Sequence, residues 1–272
     1  MKPLYDLIDR NCERQSASLK KHLLAADICE WGDITDERLY RLVDELKESV
    51  APASGKVLCA TLASFLKRYA DKTPSQNYRD ILSIKGDKPI KTFLSTDEIE
   101  RFERVETETA KELFVKNCFL VGLKTGMRYG DIRKCRPENI VNGYLTYSSQ
   151  KTHIISSVPC SERTAQMIKD ITASHTDISI SGYNLIVKRL AERAGITDMV
   201  SIHKGGKDMI VRKCDALSSH SARISLCTNL SILGTPTQDI KRIAGHTSEG
   251  MTERYICNHE INLNEQSLNF LK

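Results

Sequence analysis

No stretch of this 272-residue chain is apolar for long enough to cross a bilayer, and Met1-Lys2-Pro3 leads into polar sequence rather than a signal-peptide core. The expectation is a protein without membrane contact, working in the cytoplasm where it is made. Paired cysteines are missing too. The nine present are an odd number, scattered with no Cys-x-x-Cys, which excludes a disulfide framework and points to reduced thiols. Cys257-Asn258-His259 comes nearest to a metal motif but lacks the four paired ligands of a zinc site, so no metal or cofactor is expected. Strong charge of one sign is also absent: a net +5 permits a nucleic-acid partner without demanding one.

What is present describes a soluble globular chain. Hydrophobic residues make up 40% and charged residues 28%, enough for one large domain or two modest ones. The spacing is mainly helical. A helix over residues 18–31 would put Leu19, Leu23, Leu24 and Ile28 on one stripe. Thr35, followed by Asp36 and Glu37, caps a second that carries Leu39, Leu42, Val43 and Leu46. Residues 51–55 break the chain, and Leu58, Leu62, Phe65, Leu66 and Tyr69 follow at helical spacing. These helices form a small bundle over residues 1–86. Its basic residues, among them Lys56, Lys67 and Arg68, either meet phosphates or form an ordinary solvated face. Residues 84–89, including Lys85, read as a linker.

The second part, residues 87–272, is helical with small β-hairpins, an α+β pattern. Ser95-Thr96-Asp97-Glu98 is a capping box. The run from Glu112 to Leu123 is apolar on nearly every side, as in a central buried helix. It stops at Thr125-Gly126, where a glycine with positive φ turns Arg128 inward and Asp131 can hold it by a charge-assisted bond. Residues 144–147 and 154–158 read as strands around a polar turn that carries Lys151. Helices over 162–171 and 183–194 follow, then a hairpin around Lys204-Gly205-Gly206-Lys207, whose lysines either touch a nucleic acid or lie in a plain turn.

The most informative stretch runs from His220 to Tyr255. His220 and Arg223 share a helical face. Ile224, Leu226, Cys227, Leu230 and Leu233 bury that helix, Gly234 caps it, and Thr235-Pro236 opens the next as N-cap and first residue. Gly245 then releases His246, and Tyr255 lies nine residues further on. A cation for oxyanions, two imidazoles for protons and a phenol as nucleophile suit a phosphate ester under attack.

The motifs His220-x-x-Arg223, Gly245-His246 and Thr252-Glu253-Arg254-Tyr255 resemble the catalytic end of the tyrosine recombinases, the phage integrase family. Thr125-Gly126-Met127-Arg128 with Asp131, and Lys151-Thr152 in a hairpin turn, match that family's upstream positions. The resemblance implies a helical core-binding domain over residues 1–86 and a catalytic domain over 87–272, clamping duplex DNA between them. Lys56, Lys67, Arg68, Lys85, Lys204 and Lys207 become candidate DNA contacts.

The resemblance also implies site-specific cleavage and rejoining through a 3′-phosphotyrosyl intermediate, serving integration or excision of a mobile element at the nucleoid. Tyr255 is then the nucleophile, Arg128 and Arg223 bind the non-bridging oxygens, and Lys151 protonates the departing 5′-oxygen. His220 takes the phenol proton, His246 hydrogen-bonds the transition state, and Asp131 supports Arg128. Neither metal nor ATP enters. The family's assemblies imply a homotetramer on DNA, a monomer without it, accessory bending or directionality factors, and a C-terminal tail passed to a neighbour. Ile261, Leu263, Leu268, Phe270 and Leu271 would be that tail's apolar side chains, unless it folds back on its own domain. The alternatives are DNA relaxation like that of type IB topoisomerases, or a regulator keeping the fold without the chemistry.

Overall fold

The computed structural model describes residues 4–86, 91–174 and 176–257, and for Lys204 the backbone only. Compactness divides the chain into residues 1–89 with 203–208, and residues 90–202 with 209–272. Among the described residues no helix is long and apolar enough to cross a membrane.

Among the described residues the first unit contains five α-helices: α1 (Leu4–Asn11), α2 (Ser16–Ala25), α3 (Asp36–Ser49), α4 (Pro52–Arg68) and α5 (Tyr78–Ile81). Their stripes close one core, with Leu19, Leu39, Leu42, Leu62, Phe65 and Leu66 at most 2% exposed. Trp31 stacks on Phe65 at 5.7 Å between centroids. The Thr35 hydroxyl accepts the Arg38 N–H, as its capping position requires.

Three expectations need correction. Helix α2 ends at Ala25, with Asp27 at φ +57°, so Ile28 reaches the core from outside the helix, while Leu24, about 140° around α2 from Leu19, points to solvent. Residues 52–55 form the first turn of α4 rather than a break: Pro52 lies at its start, where its missing N–H costs nothing. Gly55 there lets Ile84 approach closely. Helix α1, with Leu4, Leu7 and Ile8 buried, was not foreseen.

The second unit begins with α6 (Thr96–Arg104), α7 (Ala110–Thr125) and the short α8 (Tyr129–Ile132). Ser95 and Glu98 close a capping box with both reciprocal bonds, worth about 1 kcal/mol. Helix α7 is the central post, with Val115, Cys118, Phe119 and Val121 fully buried. A three-stranded antiparallel sheet follows in spatial order: β1 (Ile140–Val141), β2 (Tyr144–Ser148), β3 (Ile155–Pro159). Ser148 pairs with Ile155, which sets the length of the turn carrying Lys151. Strand β1 was not foreseen: it joins β2 through Asn142-Gly143, both at positive φ, a tight turn that admits few other residues.

Helix α9 (Glu162–Ala173) and helix α10 (Ile180–Arg193) flank α7. The latter starts three residues earlier than its apolar pattern, because Ser179 caps it. A hairpin, β4 (Met199–Lys204) with β5 (Lys207–Arg212), leads through α11 (Lys213–Ala216) to α12 (Ser221–Ile232), α13 (Thr237–Ala244) and α14 (Glu249–Glu253). Two details of this last stretch differ from expectation. Leu233 is 73% exposed, since α12 ends at Ile232. Pro236 is itself the N-cap of α13, with extended ψ, and the helix begins at Thr237. The expected tail contacts, and Asp87, Lys88 and Pro89 of the expected linker, lie outside the described residues.

Candidate active site

Helix α12 sets one wall of the site. His220 is its N-cap residue and Arg223 projects from its first turn. Arg223 is only 1% exposed. Its Nη1 donates to the carbonyl of Gly126 at 2.6 Å, while Nε and Nη2 are buried without any hydrogen-bond partner. Gly126 can offer that carbonyl because it ends α7 at φ +71°, and a Cβ there would press within 3.0 Å of Leu226. Burial and the neighbouring Arg128 lower the Arg223 pKa, yet a guanidinium stays charged over any working pH. Two orphaned charged donors in a buried position are costly, and they are arranged to take an anion's oxygens.

Arg128 is half-buried, and its Nη1 donates to Ser149 Oγ at 2.7 Å. The expected bond from Asp131 is not formed. Asp131 Oδ2 stands 4.0 Å from Arg128, and Oδ1 instead accepts the backbone N–H of Gln150 at 3.0 Å. The Gln150 side chain returns the link by donating to the Gly130 carbonyl at 2.8 Å. The turn carrying Lys151 is thus tied to the arginine loop at three points, and Lys151 itself is exposed at the tip. Sequence reasoning missed Ser149 and Gln150, although both lie in the turn it had singled out.

Tyr255, 9% exposed, follows α14 and is packed among the other candidates. Its ring centroid lies 4.4 Å from that of His246 and 5.0 Å from that of His220, the latter edge-on. Arg223 Cζ is 5.3 Å from the same centroid. Thr228, one helical turn beyond Ile224 on α12, donates its hydroxyl to the Tyr255 carbonyl at 3.2 Å and accepts the Cys257 N–H at 3.1 Å. Lys91 bears on the ring from another side, with Nζ 4.8 Å from the centroid. Nothing local in the sequence marks Lys91, which is 164 positions from its ring partner.

His246 is delivered by Gly245, which ends α13 at φ +64° and whose absent Cβ would lie 2.6 Å from Ser156 Oγ. A side chain at 245 would therefore force the Ser156 hydroxyl to turn away and would be strained at that positive φ. The His246 Nδ1 lies 3.0 Å from Thr252 Oγ1, and its Nε2 is buried with no partner. The Thr252 hydroxyl also lies within reach of the Ser248 carbonyl, at 3.5 Å. When that hydroxyl donates to Nδ1, Nε2 carries the proton and is a donor facing the site.

Burial, then Arg223 and Arg128, push the His246 pKa down to about 3. His220 is lowered to about 4 by burial and by Arg223, Lys91, Arg128 and Lys151. His220 retains an exposed flank, so solvent screens part of that repulsion. Both imidazoles are neutral at pH 7.

The candidate DNA-contacting residues belong to the first unit. Lys56 and Lys67 are exposed and fall within roughly 20° of each other around α4, opposite its buried face. Arg68 is exposed and reaches Asn11 Oδ1 at 3.3 Å, and Lys85 and Lys207 are exposed. The Lys204 side chain lies outside the described residues. No group of three or more His, Cys, Asp or Glu able to hold a metal occurs among the described residues.

Comparison with known proteins bears on the family and the fold. The sequence profile of the Phage integrase family matches residues 92–260. No curated protein matches. Among solved structures, the chain is similar to a lambda integrase dimer bound to a COC′ core site, with TM-score 0.69 and 16% identity over 97% of this chain and 98% of that one. A lambda integrase tetramer bound to a Holliday junction gives 0.66 and 16%, covering 97% and 80%. The Tn1549 transposon integrase with a circular intermediate DNA gives 0.65 and 14%, covering 98% and 97%. At such identities these structures speak for the fold alone. The family profile spans well over half of the 272 residues, and the chain belongs to the phage integrase family of tyrosine recombinases.

Proposed function

We propose that this protein is a site-specific DNA recombinase that cleaves and rejoins strands through Tyr255, in the service of integrating or excising a mobile element. The observation that carries the reading is the packing of the Tyr255 ring against His246 and His220 beside Arg223, whose Nε and Nη2 have no partner. A phenol among neutral imidazoles and unspent guanidinium donors suits in-line attack on a phosphodiester.

In the proposed step Tyr255 Oη attacks phosphorus, its proton passes to the His220 imidazole, and the bond from phosphorus to the 5′-oxygen breaks. Lys151 gives a proton to that oxygen, so the products are a 3′-phosphotyrosine and a free 5′-hydroxyl. Arg128, Arg223 and His246 Nε2–H donate to the non-bridging oxygens as charge grows there. Each such donor is worth on the order of 3 kcal/mol, about a hundredfold in rate. Arg128 would exchange its Ser149 contact for the phosphate. The ester energy is kept in the phosphotyrosine, and a 5′-hydroxyl from a second strand reverses the step.

The helical unit at the N-terminal end is proposed to be the core-binding domain, with Lys56 and Lys67 on its solvent face as phosphate contacts and Lys85, Arg68, Lys204 and Lys207 as further ones. Assembly as a homotetramer on DNA, with tail exchange, is proposed by analogy with the lambda integrase tetramer.

The test is a nicked duplex carrying the DNA that flanks the chain's own gene. The protein should trap one strand covalently, peptide mapping should find the adduct on Tyr255, and Tyr255→Phe should bind but not trap. An adduct in the Phe variant overturns the assignment. Junction sequencing decides between exchange of partners and simple relaxation.

A further inference from the structure

The nucleophile segment needs more than α14 to hold it. That helix has only five residues and ends at Glu253, where the N–H groups of Tyr255 and Ile256 close onto the carbonyls of Thr252 and Glu253, so the Arg254 carbonyl just beyond is met by a side chain. Thr228 secures the far side, through the carbonyl of Tyr255 and the N–H of Cys257. On the near side the donor is Lys91, whose Nζ bonds the carbonyl of Arg254. The same ammonium stands 4.8 Å from the Tyr255 centroid, within range of an attractive contact with the ring.

This is an unfavourable place for a lysine that only fills space. Lys91 is half-buried, and burial lowers its pKa. Its charge also adds to that of Arg223, Arg128 and Lys151 around the histidines. Among these cations it alone both bonds the backbone next to Tyr255 and bears on the ring. Arg223 reaches the ring but gives its Nη1 to Gly126, and Arg128 is engaged with Ser149.

Building on the recombinase reading, we infer that Lys91 is a positioning residue for the nucleophile. It fixes the peptide before Tyr255 and the plane of the ring, and through them the direction of the phenol hydroxyl. It touches neither phosphate nor leaving group in this role. His246 packs on the ring at a tilt of 40° and His220 meets it edge-on at 65°, so a turn of the ring would change the path from Oη to both imidazoles.

The experiment uses the full chain with 3-fluorotyrosine placed at position 255 alone, compared with Lys91→Met and Lys91→Arg. Methionine keeps the length of the side chain and removes the ammonium, whereas arginine can reach both the carbonyl and the ring. Without DNA, the parent and the Arg variant should each give one narrow fluorine resonance at similar positions. The Met variant should give a resonance displaced by more than its width, or split, at an unchanged melting temperature. An unchanged resonance in Lys91→Met overturns the inference whether or not the protein cleaves DNA.

On the nicked duplex with saturating protein, Lys91→Met should trap about three- to thirtyfold more slowly. Lys91→Arg should recover most of that rate, and added protein should not. A defect cured by more protein would make Lys91 a DNA contact, and a rate equal to or above the parent's would make it no positioning residue; either result overturns the inference. If the parent fails to trap DNA on Tyr255, the recombinase reading falls, and the fluorine measurement still decides the role of Lys91.

Discussion

Asp131 accepts the backbone N–H of Gln150 at 3.0 Å and stands 4.0 Å from the guanidinium it was expected to hold. Its carboxylate therefore fixes the turn that carries Lys151. Asparagine keeps an oxygen for that N–H and removes the charge. Asp131→Asn should trap a nicked duplex within about threefold of the parent rate, whereas Asp131→Ala should lose roughly ten- to a hundredfold, as for a bond to a charged group. Equal losses in the two variants would show that the charge on Arg128, and not the turn, is what Asp131 serves.

Arg223 presents a trade of stability against function. Its Nε and Nη2 are buried without partners, so removing the charge relieves a desolvation cost while sacrificing one bond to Gly126. Arg223→Met should lower trapping by about a hundredfold or more. Its stability in urea should lie between the parent value and about 3 kcal/mol above it. Orthovanadate or sulfate should raise the melting temperature of the parent and have less effect on the variant. A variant clearly less stable than the parent would mean that the guanidinium is structural.

The motifs legible in the sequence are those whose partners lie within a few positions. The capping box at Ser95 and the positive-φ glycine at 126 declare themselves by spacing, and both are found as read; His220, expected to share a helical face with Arg223, is instead the exposed N-cap ahead of the helix in which Arg223 is buried. What stayed hidden depends on long closures. Asp131 pairs locally on paper, but an N–H 19 positions away takes its oxygen. Lys91 meets Tyr255 only because the chain returns after more than 160 residues. Helix α1 spans barely two turns, too short for a periodic stripe to stand out. Leu233 fits its stripe by number, but its helix ends just before it, and Leu24 lies about 140° around its helix from Leu19.

The two histidines predict how stability varies with acid. His246 holds a folded pKa of about 3 and His220 one of about 4, both below the ordinary value of 6.5. A depressed histidine binds its proton more readily when unfolded, so its contribution is present above pH ~6.5 and is lost as the pH falls through the folded value. Near pH 5 each should add up to about one proton to the uptake on unfolding, with His220 contributing less because of its exposed flank. The pH dependence of the urea midpoint measures this. His246→Asn should flatten the slope between pH 6 and pH 4 by about one proton. A slope unchanged by that substitution would mean His246 already carries its proton when folded.

Lys151 is the residue whose proposed role most needs a chemical test, because an exposed lysine at a turn can contact DNA without transferring a proton. If it protonates the 5′-oxygen, Lys151→Ala should slow cleavage of an ordinary phosphodiester by roughly a hundred- to ten-thousandfold. Sulfur at that bridging position is a far better leaving group and needs no acid. The variant should therefore cleave the thio-substrate nearly as fast as the parent. A lysine acting only as a phosphate contact predicts something different: a defect that persists with sulfur and shrinks as protein is added. A defect unrelieved by sulfur and independent of concentration would leave Lys151 necessary but not the acid. The search would then move to His220, and to Lys207 in the β4–β5 hairpin. Running Asp131→Ala beside it separates presence from placement: if that carboxylate acts by fixing the turn, sulfur should relieve its defect as well.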